Sequence, residues 1–272
     1  MQYFDHIDHD NFHKQNFAFL LVDETDHVLT ITLNRESKRN ALHPKMLEEI
    51  AYAFQYAHAN KDIWMIVIQA KGPVFCAGAD LKAMAGFVEP NESSIPDPKS
   101  EILIGELFNK VFKPTIAKIT GHVYAGGFFF LAGSNIVIAQ DDLKFGLPEV
   151  KRGLYPFQVM ASLLQVMPAR KVIDWCIRGY NLPVAEAERF GLVTETVSAD
   201  EIDQKVESII EELKQNSPSA IKNGLMAYDH INAKEQTHKY LYDMLMQTVQ
   251  SKDGQEGLQA FREKRNPVWT GE

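Results

Sequence analysis

The sequence is poor in cysteine. Cys76 and Cys176 are its only two, far apart in the chain. That usage offers neither a disulfide framework nor a cysteine metal site, and makes a reducing cytoplasm the simplest compartment. Long apolar runs are missing too: nothing approaches the roughly 20 residues that span a bilayer, so no membrane partner is expected. The opening Met1-Gln2-Tyr3-Phe4-Asp5-His6 has no basic flank and no apolar block, and its acid residue disfavours a presequence. Excess positive charge is also absent. The formal net charge of −8 argues against nucleic acid as a partner. No short internal repeat is evident.

What is present suits a globular protein with a real core. The 272 residues are 45 % apolar and 24 % charged, enough for one large domain or two modest ones. Residues 1–16 are polar and rich in His and Asp, and read as a flexible extension. His6, His9 and His13 could share a helix face as metal ligands, but cysteine or ordered acid partners are lacking, so no metal is expected.

From residue 17 the patterning alternates. Phe17–Val22 and Val28–Leu33 predict a hairpin across Asp23–His27. Pro44 opens a helix with Leu47, Ile50, Phe54 and Ala57 on one face. Ile63–Ile68 predicts a strand buried on both sides. Residues 85–100 hold Gly86, Pro90, Pro96 and Pro98 and read as a mobile loop, followed by a helix over Glu101–Phe112. Thr115–Thr120 and Asn135–Ala139 predict strands, with a buried apolar stretch at Phe128–Ala132 between them. This is an α/β pattern to about residue 197. Beyond it, Glu201–Gln215, Ser219–Asn232 and Glu235–Ser251 predict helices with no strands between them. The expected organisation is therefore an extension (1–16), an α/β core (17–197) and a helical C-terminal region (198–272).

Two glycine turns stand out within that core. Phe75-Cys76-Ala77-Gly78-Ala79-Asp80-Leu81 and Ala125-Gly126-Gly127 could each end a strand and leave backbone N–H groups unpaired. Brought together, they form a cradle for a developing oxyanion. A carboxylate follows at Glu149, in Phe145-Gly146-Leu147-Pro148-Glu149. An anion hole beside a base points to proton abstraction next to a carbonyl. Cys76, among apolar neighbours, reads as an inert core thiol, and Asp80 as a tie between its turn and nearby backbone.

These segments, in this order, resemble the enoyl-CoA hydratase/isomerase, or crotonase, superfamily from about Phe17 to Trp269. Asn34-Arg35 with Lys38-Arg39-Asn40-Ala41-Leu42, Thr120–Gly127, Gly191-Leu192-Val193 and Glu256–Arg265 carry the likeness further. The resemblance implies a spiral of β-β-α turns and a helical C-terminal trimerisation region, with trimers that often pair as hexamers. It implies an acyl-CoA thioester as substrate, with coenzyme A as part of that substrate and no other cofactor. By position it makes the N–H groups of Ala79 and Gly126 the oxyanion donors and Glu149 the acid/base. It places Lys38, Arg39 and Ala41 on the loop that holds the CoA nucleotide, and the Ala77 carbonyl against adenine. Gly78, Asp80, Leu81, Gly127 and Phe129 fall among the substrate-binding positions, and Phe261 and Lys264 match positions that reach CoA from a neighbouring subunit.

One departure matters. Hydratases of the family carry a second Glu at the Phe129 position. With one carboxylate left, the expectation is isomerisation of 3-enoyl-CoA to 2-enoyl-CoA by Glu149. The alternative is hydration of 2-enoyl-CoA, with Tyr124, His122, Tyr155 or Gln158 positioning the water. Decarboxylation, hydrolysis, a non-catalytic acyl-CoA binder and an RNA-binding relative are lesser options.

Overall fold

The structure is a computed structural model that describes residues 3–5, 9–87, 89–232 and 237–268, without side chains at 9, 10, 237–240 and 244. Ten strands form two sheets. In chain order they are β1 (Leu20–Thr25), β2 (Val28–Leu33), β3 (Met65–Ala70), β4 (Val74–Cys76), β5 (Thr115–Ile119), β6 (His122–Tyr124), β7 (Ile136–Gln140), β8 (Lys144–Gly146), β9 (Asn181–Pro183) and β10 (Glu195–Val197). The larger sheet has the order β1-β2-β3-β5-β7-β10 and the smaller one β4-β6-β8-β9. Three times the chain lays one strand in the large sheet, the next in the small sheet, and then turns into helix, as in β3–β4, β5–β6 and β7–β8. This is the expected spiral.

From β2 to β10 the large sheet is parallel, and both of its faces are covered. Leu29, Ile31, Ile66, Ile68, Ala117 and Ile119 face the main core, which includes the helix Pro44–Ala59. Val28, Met65, Val67, Ile116 and Ile138 face Ile202, Val206 and Ile210 of the helix Ile202–Lys214. Burial on both sides is why these strands read as continuous apolar runs. The hairpin is tighter than expected. β1 runs on to Thr25, and only Asp26 and His27 turn, both at positive φ (47° and 68°), as a two-residue hairpin loop demands.

The C-terminal region adds a helix that patterning did not reveal, Lys252–Glu263, after Pro218–Asn232 and Thr237–Gln250. Its glycines lower helix propensity, but packing requires them. A Cβ on Gly254 would lie 2.1 Å from the Thr248 carbonyl oxygen, and one on Gly257 2.1 Å from that of Arg152. Among the described residues, no helix is long and apolar enough to cross a membrane.

Residues 1–16 differ most from expectation. Tyr3, Phe4 and Phe12 are buried in the core, so the described part of this segment is not a loose extension. Gln55 accepts from the Tyr3 and Phe4 amides and donates back to the Phe4 carbonyl. Phe12 stacks on Tyr56 with centroids 3.6 Å apart. Asn16 donates from its backbone to Ser94 Oγ and from its side chain to the Glu92 carbonyl, fastening the loop expected to be mobile. Polar composition hid three aromatic anchors. His13 bonds Glu24, and no group of three or more side chains placed to hold a metal ion occurs among the described residues. His6 and the His9 side chain lie outside them. Phe12→Ala is expected to cost about 3 kcal/mol. Urea unfolding measures it, and an unchanged midpoint would show that the segment does not pack.

Candidate active site

Three short strands set the site. β4, β6 and β8 are parallel neighbours, pairing Cys76 with Val123 and Tyr124 with Gly146. Their C-terminal ends therefore lie side by side, and the turns that follow each one emerge together. After β4, Gly78 takes φ +86°, and after β6, Ala125 takes φ +51°. For Ala this left-handed conformation is strained, and such strain persists where the surroundings impose it. The two turns press together. A Cβ on Gly78 would lie 2.5 Å from the Ala125 Cβ and 3.0 Å from the Gly126 nitrogen, and one on Gly126 would lie 3.6 Å from the Ala79 nitrogen. Gly126 sits in the first turn of a 3₁₀ segment, where amides lack an intrahelical acceptor. Neither its N–H nor that of Ala79 donates to any turn or loop carbonyl.

The loop Asn34–Leu42 braces the first turn. Leu42 N–H donates to the Gly78 carbonyl, Asp80 N–H to the Leu42 carbonyl, and Ala77 N–H to the Arg39 carbonyl, at 2.8, 3.0 and 3.0 Å. The buried Arg35 pairs with Asp80 at 2.8 Å and with Glu89, and donates to the Ala41 carbonyl. Asp80 also caps the short helix Leu81–Met84 by accepting from the Lys82 and Ala83 amides. Asp80 thus ties its turn to nearby backbone, as its type and place suggest.

Glu149 lies on the turn after β8, in the 3₁₀ segment Glu149–Arg152. Together with Ala79 and Gly126 it borders one mostly apolar cavity of about 470 Å³. The residue is part-exposed, because it faces that cavity, yet its Oε2 is buried without a hydrogen-bond partner. Burial raises its pKa to about 7, although its own backbone N–H and the charge of Arg152 pull the other way. Both thiols are pushed up to about 12, chiefly by burial, and stay protonated.

Ala77, Asp80, Leu81 and Phe129 share the cavity wall. Phe129 alone of the Phe128–Phe130 run borders it. Phe128 packs on Trp175 and Phe145, and Phe130 on Phe75 and Phe108, as helical rotation dictates. Lys38, Arg39, Ala41, Gly78, Gly127, Phe261 and Lys264 are not part of this wall. Lys38 and Arg39 are exposed on the bracing loop. Gly78 and Gly127 lie behind the turns, where a Cβ on Gly127 would meet Val123 and Cys76. Phe261 and Lys264 belong to the end of the last helix. Of the four residues proposed to hold water, Tyr155 and Gln158 line the cavity. His122 instead accepts from the Lys144 amide, and Tyr124 packs against Gly146. Sequence reasoning passed over Arg152, Met84 and Tyr242, which also line it. Arg152 was findable, since it stands three residues after Glu149 in one tight turn.

Two free amides and a carboxyl with a buried oxygen bordering one mostly apolar cavity are the groups that enolate chemistry at a carbonyl needs. The chain belongs to the enoyl-CoA hydratase/isomerase family, whose sequence model matches residues 23–272. It is 29 % identical to the mevalonyl-coenzyme A hydratase of Aspergillus fumigatus, over 90 % of this chain and 92 % of that one. It is 31 % identical to the probable enoyl-CoA hydratase of Mycobacterium leprae, over 92 % and 97 %. Among solved structures, a carnitinyl-CoA hydratase from Mycobacterium avium superposes with a TM-score of 0.82 at 27 % identity, covering 94 % of this chain and 99 % of that one.

The raised Glu149 pKa has a stability consequence. Between its ordinary value near 4.5 and about 7, the folded protein keeps a proton that the unfolded chain has released. Stability therefore falls as pH rises through that window, by about 3 kcal/mol in all. Glu149→Gln is expected to unfold like the parent at pH 4 and to be more stable at pH 8, by denaturant titration. A variant less stable at pH 8 contradicts the buried, unpaired carboxyl.

Proposed function

We propose that the protein polarises an acyl-CoA thioester carbonyl with the Ala79 and Gly126 amides and moves protons beside it with Glu149. The observation that carries this is the convergence of those three groups on one cavity. Fixed backbone donors strengthen as charge grows on the oxygen, so they favour the enolate over the bound substrate. A carboxyl poised near pH 7 both donates and accepts at working pH.

Of the two family reactions, hydration has the broader support. Similar proteins carry hydratase names, and Tyr155 and Gln158 border the cavity where they can hold water. In that reaction the hydroxyl of water adds at C3, neutral Glu149 delivers a proton to C2, and the proton that the water loses returns to Glu149. The isomerisation expected from sequence rests on one feature, the apolar Phe129 in place of a second carboxylate. In that second reading Glu149 takes a proton from C2 and returns it at C4. Crotonyl-CoA loses its conjugated absorbance under hydration, whereas 3-hexenoyl-CoA gains it under isomerisation. Either signal should fall roughly 10²–10⁴-fold in Glu149→Gln. Full activity in that variant with both substrates refutes the proposal.

We also propose self-association through the helical region. Met226, Tyr228 and Ile231 are exposed apolar side chains around the helix Pro218–Asn232, which second copies would cover. Light scattering is expected to give the mass of a trimer or a multiple of it, and a monomer mass rejects this.

A further inference from the structure

Arg152 is the one cation bordering the cavity among the described residues. The neighbouring carboxylates are otherwise engaged or at the rim. Glu48 pairs with Lys45, Asp80 pairs with Arg35, and Glu101 is exposed. The Arg152 guanidinium has no ion pair and no hydrogen bond there. Its close partner is the ring of Phe261, 4.5 Å from the guanidinium carbon, which covers a face and leaves the donor edge free. Burial pulls its pKa below the ordinary value, and the charge of Glu149 is what opposes that pull. A guanidinium so placed carries five N–H donors in a planar fork that matches a carboxylate. Those donors have no hydrogen-bond partner among the described residues, and a bound anion would supply one.

Position decides which anion. Glu149 must reach the carbons next to the thioester, so its turn marks the acyl side of the cavity. Arg152 stands three residues on in that same turn. We propose that Arg152 is a specificity-determining residue that binds a carboxylate carried by the acyl chain, so that the substrate is the CoA thioester of a dicarboxylic acid. The inference rests on the acyl-CoA reading and adds the class of acyl group. With Glu149 protonated, Arg152 supplies the countercharge for that carboxylate. The bond is bidentate in type, so a lysine replaces the charge but not the fork.

Binding separates this inference from the chemistry. Calorimetric titration with the matched pairs glutaryl-CoA and pentanoyl-CoA, and adipoyl-CoA and hexanoyl-CoA, is expected to show one dicarboxylic thioester bound roughly 10- to 100-fold tighter than its neutral partner. Arg152→Leu should abolish that preference while leaving free CoA and the neutral thioester bound as before. Arg152→Lys should keep part of it. Unchanged binding of free CoA also shows that the variants are folded. The proposal is overturned if each neutral thioester binds as tightly as its charged partner, or if Arg152→Leu keeps the preference. In either case the acyl-CoA reading stands. A loss of free CoA binding in well-folded Arg152→Leu would assign the guanidinium to a CoA phosphate and overturn the proposal too. If no thioester binds at all, both readings fall.

Discussion

The parallel pairing of β4, β6 and β8 is the constraint on which the site depends. Each strand is three residues long and weak alone. Side by side, they align their ends so that three distant turns meet at one edge. The large sheet supplies the rigidity, because both its faces are buried and β3, β5 and β7 each lead directly into a strand of the small sheet. Strand ends of a parallel sheet are natural places for ligands, since the loops that follow them can vary without disturbing the core.

The second constraint is electrostatic. A carboxyl in an apolar wall resists ionisation, and Glu149 accordingly titrates near neutrality. The same apolar surroundings lower the local dielectric and so strengthen the two amides. Arg152 has an aromatic neighbour and forms no ion pair among the described residues, and the charge of Glu149 acts on it from nearby. An unpartnered Oε2, a left-handed Ala125 and a guanidinium without an ion pair all belong to residues that border one cavity.

Much of this was legible before folding. Apolar runs marked β2, β3 and β5, and Pro44 marked the first long helix. The glycine turns and Glu149 were identifiable because each has a local chemical rationale. What escaped had no local signal. The three-residue strands sit inside glycine motifs that read as turns. The last helix holds Gly254 and Gly257, chosen for close packing against local propensity. Phe4 and Phe12 lie in a polar segment whose composition outweighed its anchors. Asn135 exchanges hydrogen bonds with Thr115 at the start of β5, a contact between residues far apart in the chain.

By itself, the order of residues determined the α/β alternation, the helical end, the two glycine turns and the family to which the chain belongs. These are properties of periodicity and short motifs, which neighbours along the chain express. Only the tertiary structure decided that Ala79, Gly126 and Glu149 share a cavity, that Phe129 borders it while Phe128 and Phe130 do not, and that Arg152 lacks a counter-ion there. Those facts arise from groups far apart in the chain and from how each is buried, and neither distance nor burial is written in local sequence.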